Sequence, residues 1–202
     1  MDIYNKGNIK KNGNVLRDKR NYFTTDEILK LLEIIKSNYL HYLWIKLLYS
    51  FALTPTELVN IKVSDINFRN LSIKIHSTGR HRARILKLPI ALIRDLKSET
   101  TSKKPDDYLF QGRNGKVNPR TVQKVLEKLT HQTGIYISIT KLRRSIAMHL
   151  IQIGWEEKSV TELLGHSSIR STRKLLGSSR EFYKKLKLPL DKLMDKADRK
   201  IY

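Results

Sequence analysis

Arg143 and His166 are two side chains whose chemistry suits a phosphate group. Arg143 sits in the basic opening of Thr140-Lys141-Leu142-Arg143-Arg144-Ser145. A guanidinium there offers a planar fork of donors that matches phosphate oxygens. His166 follows Gly165, a helix-stopping residue, and at that point an imidazole either donates to a phosphate or caps helix carbonyls. Both readings stay open. Arg143 reads either as a phosphate clamp or as a surface helix residue paired with an acid such as Glu57. More cations surround these two in sequence: Arg80, Arg82 and Arg84 beside Thr78-Gly79, then Lys141 and Arg144, then Arg170, Arg173 and Lys174. Together with Arg143 and His166 they are candidates for the electrostatic footprint on a polyanion, and the alternative is a solvated basic face. His149 is read as a packing residue. Glu57 is read as structural, a helix-capping acid and an orienting partner for Arg143.

The bulk composition points to the same partner. The chain has 202 residues, with 40 Lys and Arg against 19 Asp and Glu, a net charge of +21 and a pI near 10.1. Such a chain repels itself unless it meets a polyanion, so nucleic acid is the expected ligand. There is no cysteine, which excludes disulfides, thiolate zinc sites and cysteine nucleophiles. No His/Asp/Glu cluster has metal spacing and no glycine-rich phosphate loop is present, so neither a metal, a cofactor nor a small-molecule ligand is expected. Tyr39 to Leu53 is the most apolar stretch, but it is too short to span a bilayer and is interrupted by His41 and Lys46. With no apolar signal core at the N-terminus, the expected location is cytoplasmic and DNA-associated, with no membrane partner.

The elements that must hold these residues follow from periodicity and capping. Residues 1–21 read as a mobile basic arm, 22–188 as the folded domain and 189–202 as a tail with helical pieces. Thr24 and Glu27 form a capping box ahead of Ile28, Leu31, Leu32 and Ile35, and a more buried helix runs from Tyr42 to Phe51. Thr54-Pro55-Thr56-Glu57 starts a short helix reaching about Asn60. Leu71–Ile75 and Arg84–Leu88 alternate as two strands around Thr78-Gly79, with Arg80, His81, Arg82 and Arg84 at the tip. Helices are expected around Leu92–Leu96, after Asn118-Pro119, from Lys141 to about Ile153, from Glu156 to Leu164 and from Ile169 to Leu176. Ser98 to Asp107 is read as a polar connector, and Tyr108-Leu109-Phe110 as a short strand or anchor. The expected fold class is α+β, mainly helical, with a small antiparallel sheet or hairpin.

Three motif regions in this order resemble the catalytic domain of the tyrosine recombinase and phage integrase family. Ala52-Leu53-Thr54-Pro55-Thr56-Glu57-Leu58 is similar to the family's Gly-Leu-Arg-x-x-Glu-Leu. Thr140 to Ser145 looks like its His-x-Leu-Arg-His box, and Leu164-Gly165-His166-Ser167-Ser168-Ile169, with Ser171-Thr172 behind it, looks like its third region. The resemblance covers about Tyr22 to Leu188. It implies a DNA-clamping domain ahead of this one, where only the basic arm stands.

In that family a tyrosine attacks a DNA phosphodiester, forming a 3′-phosphotyrosyl link. Two arginines, a hairpin lysine and two histidine-like positions stabilise the charge and move protons. Carried onto this chain, the first arginine falls on Thr54, the hairpin lysine on Thr78, the first histidine on Thr140 and the nucleophile on Leu175. Arg143 and His166 remain in place. The implied function is a member of the family that binds double-stranded DNA, has lost catalysis and acts as a regulator or accessory partner in recombination, with itself or an active homologue as protein partner. The alternative is an active, divergent recombinase that cleaves through Tyr183 or through a tyrosine from another subunit. The leucines after Pro189 are read as covering the domain's own core, with docking on a neighbouring subunit as the weaker alternative.

Overall fold

The computed structural model describes residues 21–112 and 115–177, so residues 1–20 of the basic arm, Tyr183 and the tail after Pro189 lie outside the described residues. Local signals set the first three helices. Thr24 and Glu27 close a reciprocal capping box on α1 (Thr25–Ile35), which turns Ile28, Leu31 and Ile35 inward. Asn38 caps α2 (Tyr39–Ser50), with Leu43, Trp44, Ile45, Leu47 and Leu48 enclosed. Thr54 caps α3 (Pro55–Asn60), with proline in the first turn.

A single turn of 3-10 helix (Val63–Asp65) leads into β1 (Ile66–Asn67), β2 (Ser72–Ile75) and β3 (Arg84–Lys87). These form a three-stranded antiparallel sheet in the order β1-β2-β3, with Ile73 opposite Leu86 and Ile75 opposite Arg84. The two expected strands are there; β1 is an addition, too short for alternation to reveal. Thr78 and His81 close the hairpin tip, so Arg84 belongs to the strand and not to the tip.

α4 (Ile90–Thr100) runs further than expected into the polar connector. Its last turn is held by Thr100 and Thr101, whose hydroxyls donate to the carbonyls of Leu96 and Lys97. Tyr108-Leu109-Phe110 is an anchor: Leu109 N–H donates to Ile61 O at 2.8 Å, and Phe110 packs edge-on to Trp44 at 5.8 Å. A short hairpin, β4 (Gln111–Gly112) and β5 (Gly115–Lys116), follows it. Then come α5 (Pro119–Thr133), α6 (Ile139–Gln152), α7 (Glu157–Leu163) and α8 (Ile169–Leu176). α6 starts before Lys141 because Ser138 caps it, accepting from the Lys141 amide.

The described residues build two apolar clusters. The larger joins α1 to α5 with the sheet, and the smaller gathers Tyr22, Ala52, Ala147, Met148, Val160, Leu164 and Leu176 under α6, α7 and α8. The three motif regions meet where these clusters adjoin: Ala52 belongs to the smaller one, whereas Leu53 and Leu58 belong to the larger. No described helix is long and apolar enough to cross a membrane.

Candidate nucleic-acid interface

Glu57 is the carboxylate around which the site is assembled. Its Oε2 accepts from the Thr54 amide at 2.7 Å while the Thr54 hydroxyl accepts from the Glu57 amide at 3.2 Å, so Thr54 is engaged as a helix cap. Oε1 accepts from Arg84 Nη1 at 2.6 Å, and Arg143 Nη1 lies 3.9 Å from Oε2. The side chains of Glu57, Arg84 and Arg143 are 0%, 7% and 5% exposed. Burial by itself would raise the Glu57 pKa. The Arg84 hydrogen bond and charge, the Thr54 amide and the Arg143 charge outweigh burial and hold the carboxyl below its ordinary range.

Arg143 joins all three motif regions. It donates through Nη1 to the carbonyl of Ala52, and through Nη2 to Leu164 O at 3.0 Å. Ala52 adopts φ 49°, a left-handed conformation that costs an L-residue roughly 1–2 kcal/mol. That turn aims its carbonyl at the guanidinium. Burial, only partly offset by Glu57 and reinforced by the Arg84 charge, lowers the Arg143 pKa to about 10.

The state of His166 follows from a chain of hydrogen bonds. Glu157 O can only accept, so the Thr161 hydroxyl donates to it at 2.6 Å. Thr161 therefore accepts from Thr172 at 2.8 Å, and Thr172 in turn accepts from His166 Nδ1 at 3.0 Å. The proton of the neutral ring thus sits on Nδ1, leaving Nε2 to accept from Arg143 Nη2 at 3.2 Å. Burial, then the charge of Arg143, pushes the His166 pKa down to about 4. The imidazole is neutral and committed at both nitrogens.

The row of expected cations divides into different roles. Arg84 turns inward, where its Nη1 also donates to Arg82 O, its Nη2 donates to Phe51 O, and its Nε is buried with no hydrogen-bond partner among the described residues. It is not part of an exposed hairpin row, because Glu57 draws it under the sheet edge. Arg80 and Arg82 remain exposed, and the Arg82 amide donates to Gly165 O at 2.8 Å, which docks the hairpin beside the turn into α8. Lys141 is buried with its ammonium 4.0 Å from the ring centre of Phe23. Arg144 donates to the carbonyls of Leu175 and Asn21, tying α8 to the start of the domain. Arg173 pairs with Glu157 at 2.8 Å, and Arg170 and Lys174 are exposed. His149 packs edge-on to Tyr22 and Tyr49 and shares a 2.7 Å hydrogen bond with the Tyr49 hydroxyl.

Of the other residues expected at the site, Thr140 lies in the first turn of α6, and Thr78 pairs with His81 across the hairpin tip. Leu175 packs against the smaller apolar cluster. His81 does not stand out in the sequence as a site residue, yet its ring centre stands 5.7 Å from that of His166. The signal that could have found it is its cross-strand register with Thr78. Gly165 is a second hidden contributor: at φ 68° it leaves room that a Cβ would close, 2.5 Å from Arg84 Nη1. Among the described residues no three His, Asp or Glu side chains group to hold a metal.

Residues 21–179 match the sequence model of the phage integrase family. The chain is 36% identical over 166 residues to a tyrosine recombinase of Pseudothermotoga lettingae, covering 80% of this chain and 58% of that protein. It is 31% identical over 156 residues to tyrosine recombinase XerA of Pyrococcus furiosus, covering 74% and 54%. The chain therefore spans little more than half the length of these relatives. Among solved structures, a XerA recombinase superposes with a TM-score of 0.70 at 24% identity, covering 83% of this chain and 65% of that one. The integrase of transposon Tn1549, in complex with circular intermediate DNA, gives 0.68 at 15% identity, covering 83% and 67%. Both likenesses are in fold.

Proposed function

Because the chain belongs to the phage integrase family, we propose that it binds duplex DNA as a tyrosine recombinase-like domain without forming a covalent link to it, and serves an active recombinase as a regulator or accessory partner. The observation that carries this is the position of Leu175. The residue at the family's nucleophile position is a hydrocarbon packed into the α6–α8 cluster, and it has no hydroxyl to attack phosphorus. The other replaced positions support the same reading. Thr54 holds its helix cap in place of a guanidinium, and Thr78 and Thr140 are neutral. Removing one preorganised donor typically slows such a reaction by about a hundred- to a thousandfold.

What remains fits binding. Arg80 and Arg82 are exposed on the hairpin, which contacts Gly165 in the turn ahead of α8, and Arg170 and Lys174 are exposed on α8; solved structures of the same fold include a XerH site-specific recombinase bound to its difH substrate and the Tn1549 integrase in complex with DNA. The chemistry is tested with a nicked suicide DNA substrate that traps any 3′-phosphotyrosyl product. The full chain yields no covalent adduct on a denaturing gel, alone or after Leu175→Tyr, since Thr54, Thr78 and Thr140 still lack the catalytic groups. An adduct formed by the unmodified chain and abolished by Tyr183→Phe overturns the reading.

A further inference from the structure

His166 cannot take up the phosphate-donating role without surrendering a bond, because Arg143 and Thr172 occupy both of its nitrogens. The neighbouring imidazole is different. His81 Nδ1 lies 3.3 Å from Leu164 O, a pure acceptor, so Nδ1 carries the proton, and Nε2 of the neutral ring has no hydrogen-bond partner among the described residues. The residue is half-buried, leaving an open side. Its backbone pairs with Thr78 in both directions, His81 N–H to Thr78 O at 2.9 Å and Thr78 N–H to His81 O at 3.1 Å. His81 therefore faces, across one turn, the position where the family places its hairpin lysine.

We propose that His81 is the hairpin's phosphate contact in this chain, standing in for the lysine lost at Thr78, and that it takes up a proton at Nε2 as duplex DNA binds. The inference rests on the DNA-binding reading above and deepens it. A protonated ring donates from both nitrogens at once, to Leu164 O and to a phosphate oxygen, which makes the contact charge-assisted. The groups facing His81 favour this order of events. Burial, followed by Arg143 of α6, keeps the free ring neutral, with Glu57 of α3 and Leu164 O opposing and Arg84 of β3 adding to the repulsion; His166 stands beside it. A phosphate placed over the ring offsets the two guanidinium charges and draws the proton on.

The test is a series of dissociation constants for a fluorescent duplex, measured from pH 8 to pH 6 at constant salt, on the unmodified chain, His81→Gln and His81→Lys, each checked for folding by thermal melting. One proton taken up makes the wild-type affinity rise as pH falls, by up to about tenfold per pH unit. His81→Gln keeps a donor near Leu164 O but cannot charge, so it binds several-fold more weakly at pH 6 with a flattened profile. His81→Lys carries its charge throughout, so it binds at least as tightly as wild type at pH 8, also with a flat profile. A wild-type slope that persists in His81→Gln overturns the inference and leaves DNA binding intact. Absence of duplex binding at every pH overturns the DNA-binding reading, and the inference falls with it.

Discussion

Single side chains decide which charges stay inside this domain. Glu57 accepts from Arg84 and lies beside Arg143, with all three nearly or wholly buried, so removing its charge leaves two guanidiniums without compensation. Glu57→Gln is expected to destabilise the domain by roughly 3–5 kcal/mol, measured from urea midpoints, and a second change, Arg84→Met, to restore part of that loss. A cost below about 1 kcal/mol would show that the ion pair is dispensable. His166 sets a pH dependence. Its folded pKa is near 4 against 6.5 for the free ring, so protonation is resisted only in the native state. The stability this contributes is present above pH 6.5 and is lost as pH falls from 6.5 toward 4. In urea titrations across that window the wild type should lose stability more steeply than His166→Gln; equal slopes would mean that another group sets the pH dependence.

At the scale of elements, the hairpin and the turn between α7 and α8 fit together through Gly165. Its positive φ and missing Cβ let Arg84 pass from β3 to Glu57 of α3, while its carbonyl receives the Arg82 amide. Gly165→Ala combines a strained left-handed alanine with a displaced buried guanidinium, for an expected loss of roughly 2–4 kcal/mol in urea unfolding. A variant as stable as wild type would mean the hairpin relaxes without cost. The elements also differ in how legible they are in sequence. Capping boxes at Thr24 and Thr54 are local, so α1 and α3 can be read nearly to the residue. β1 and the β4–β5 hairpin leave no such signal, because two-residue strands depend on partners outside their own short segment.

Across the whole molecule, charge governs how a partner is met. A net charge of +21, with exposed arginines and lysines on the hairpin and α8, predicts binding controlled by counterion release. With about six phosphate contacts, affinity for duplex DNA should fall by roughly a thousandfold between 50 and 200 mM salt, readable by fluorescence anisotropy. A dissociation constant that holds steady across that range would point to a different kind of partner.

Composition, capping residues and motif order were sufficient to establish a basic, mainly helical domain of the phage integrase family. These are properties of chain order and local backbone preference, which the sequence carries directly. The direction taken by each cation was decided in three dimensions. In sequence Arg80, Arg82 and Arg84 look equivalent, but only Arg84 meets a buried carboxylate, and that pairing needs Glu57, Gly165 and the β2–β3 register together. His81 likewise gains its place beside His166 from the hairpin docking on Gly165, a contact between segments far apart in the chain. A charge's partner, and hence its burial and protonation, depends on long-range packing that no local pattern encodes.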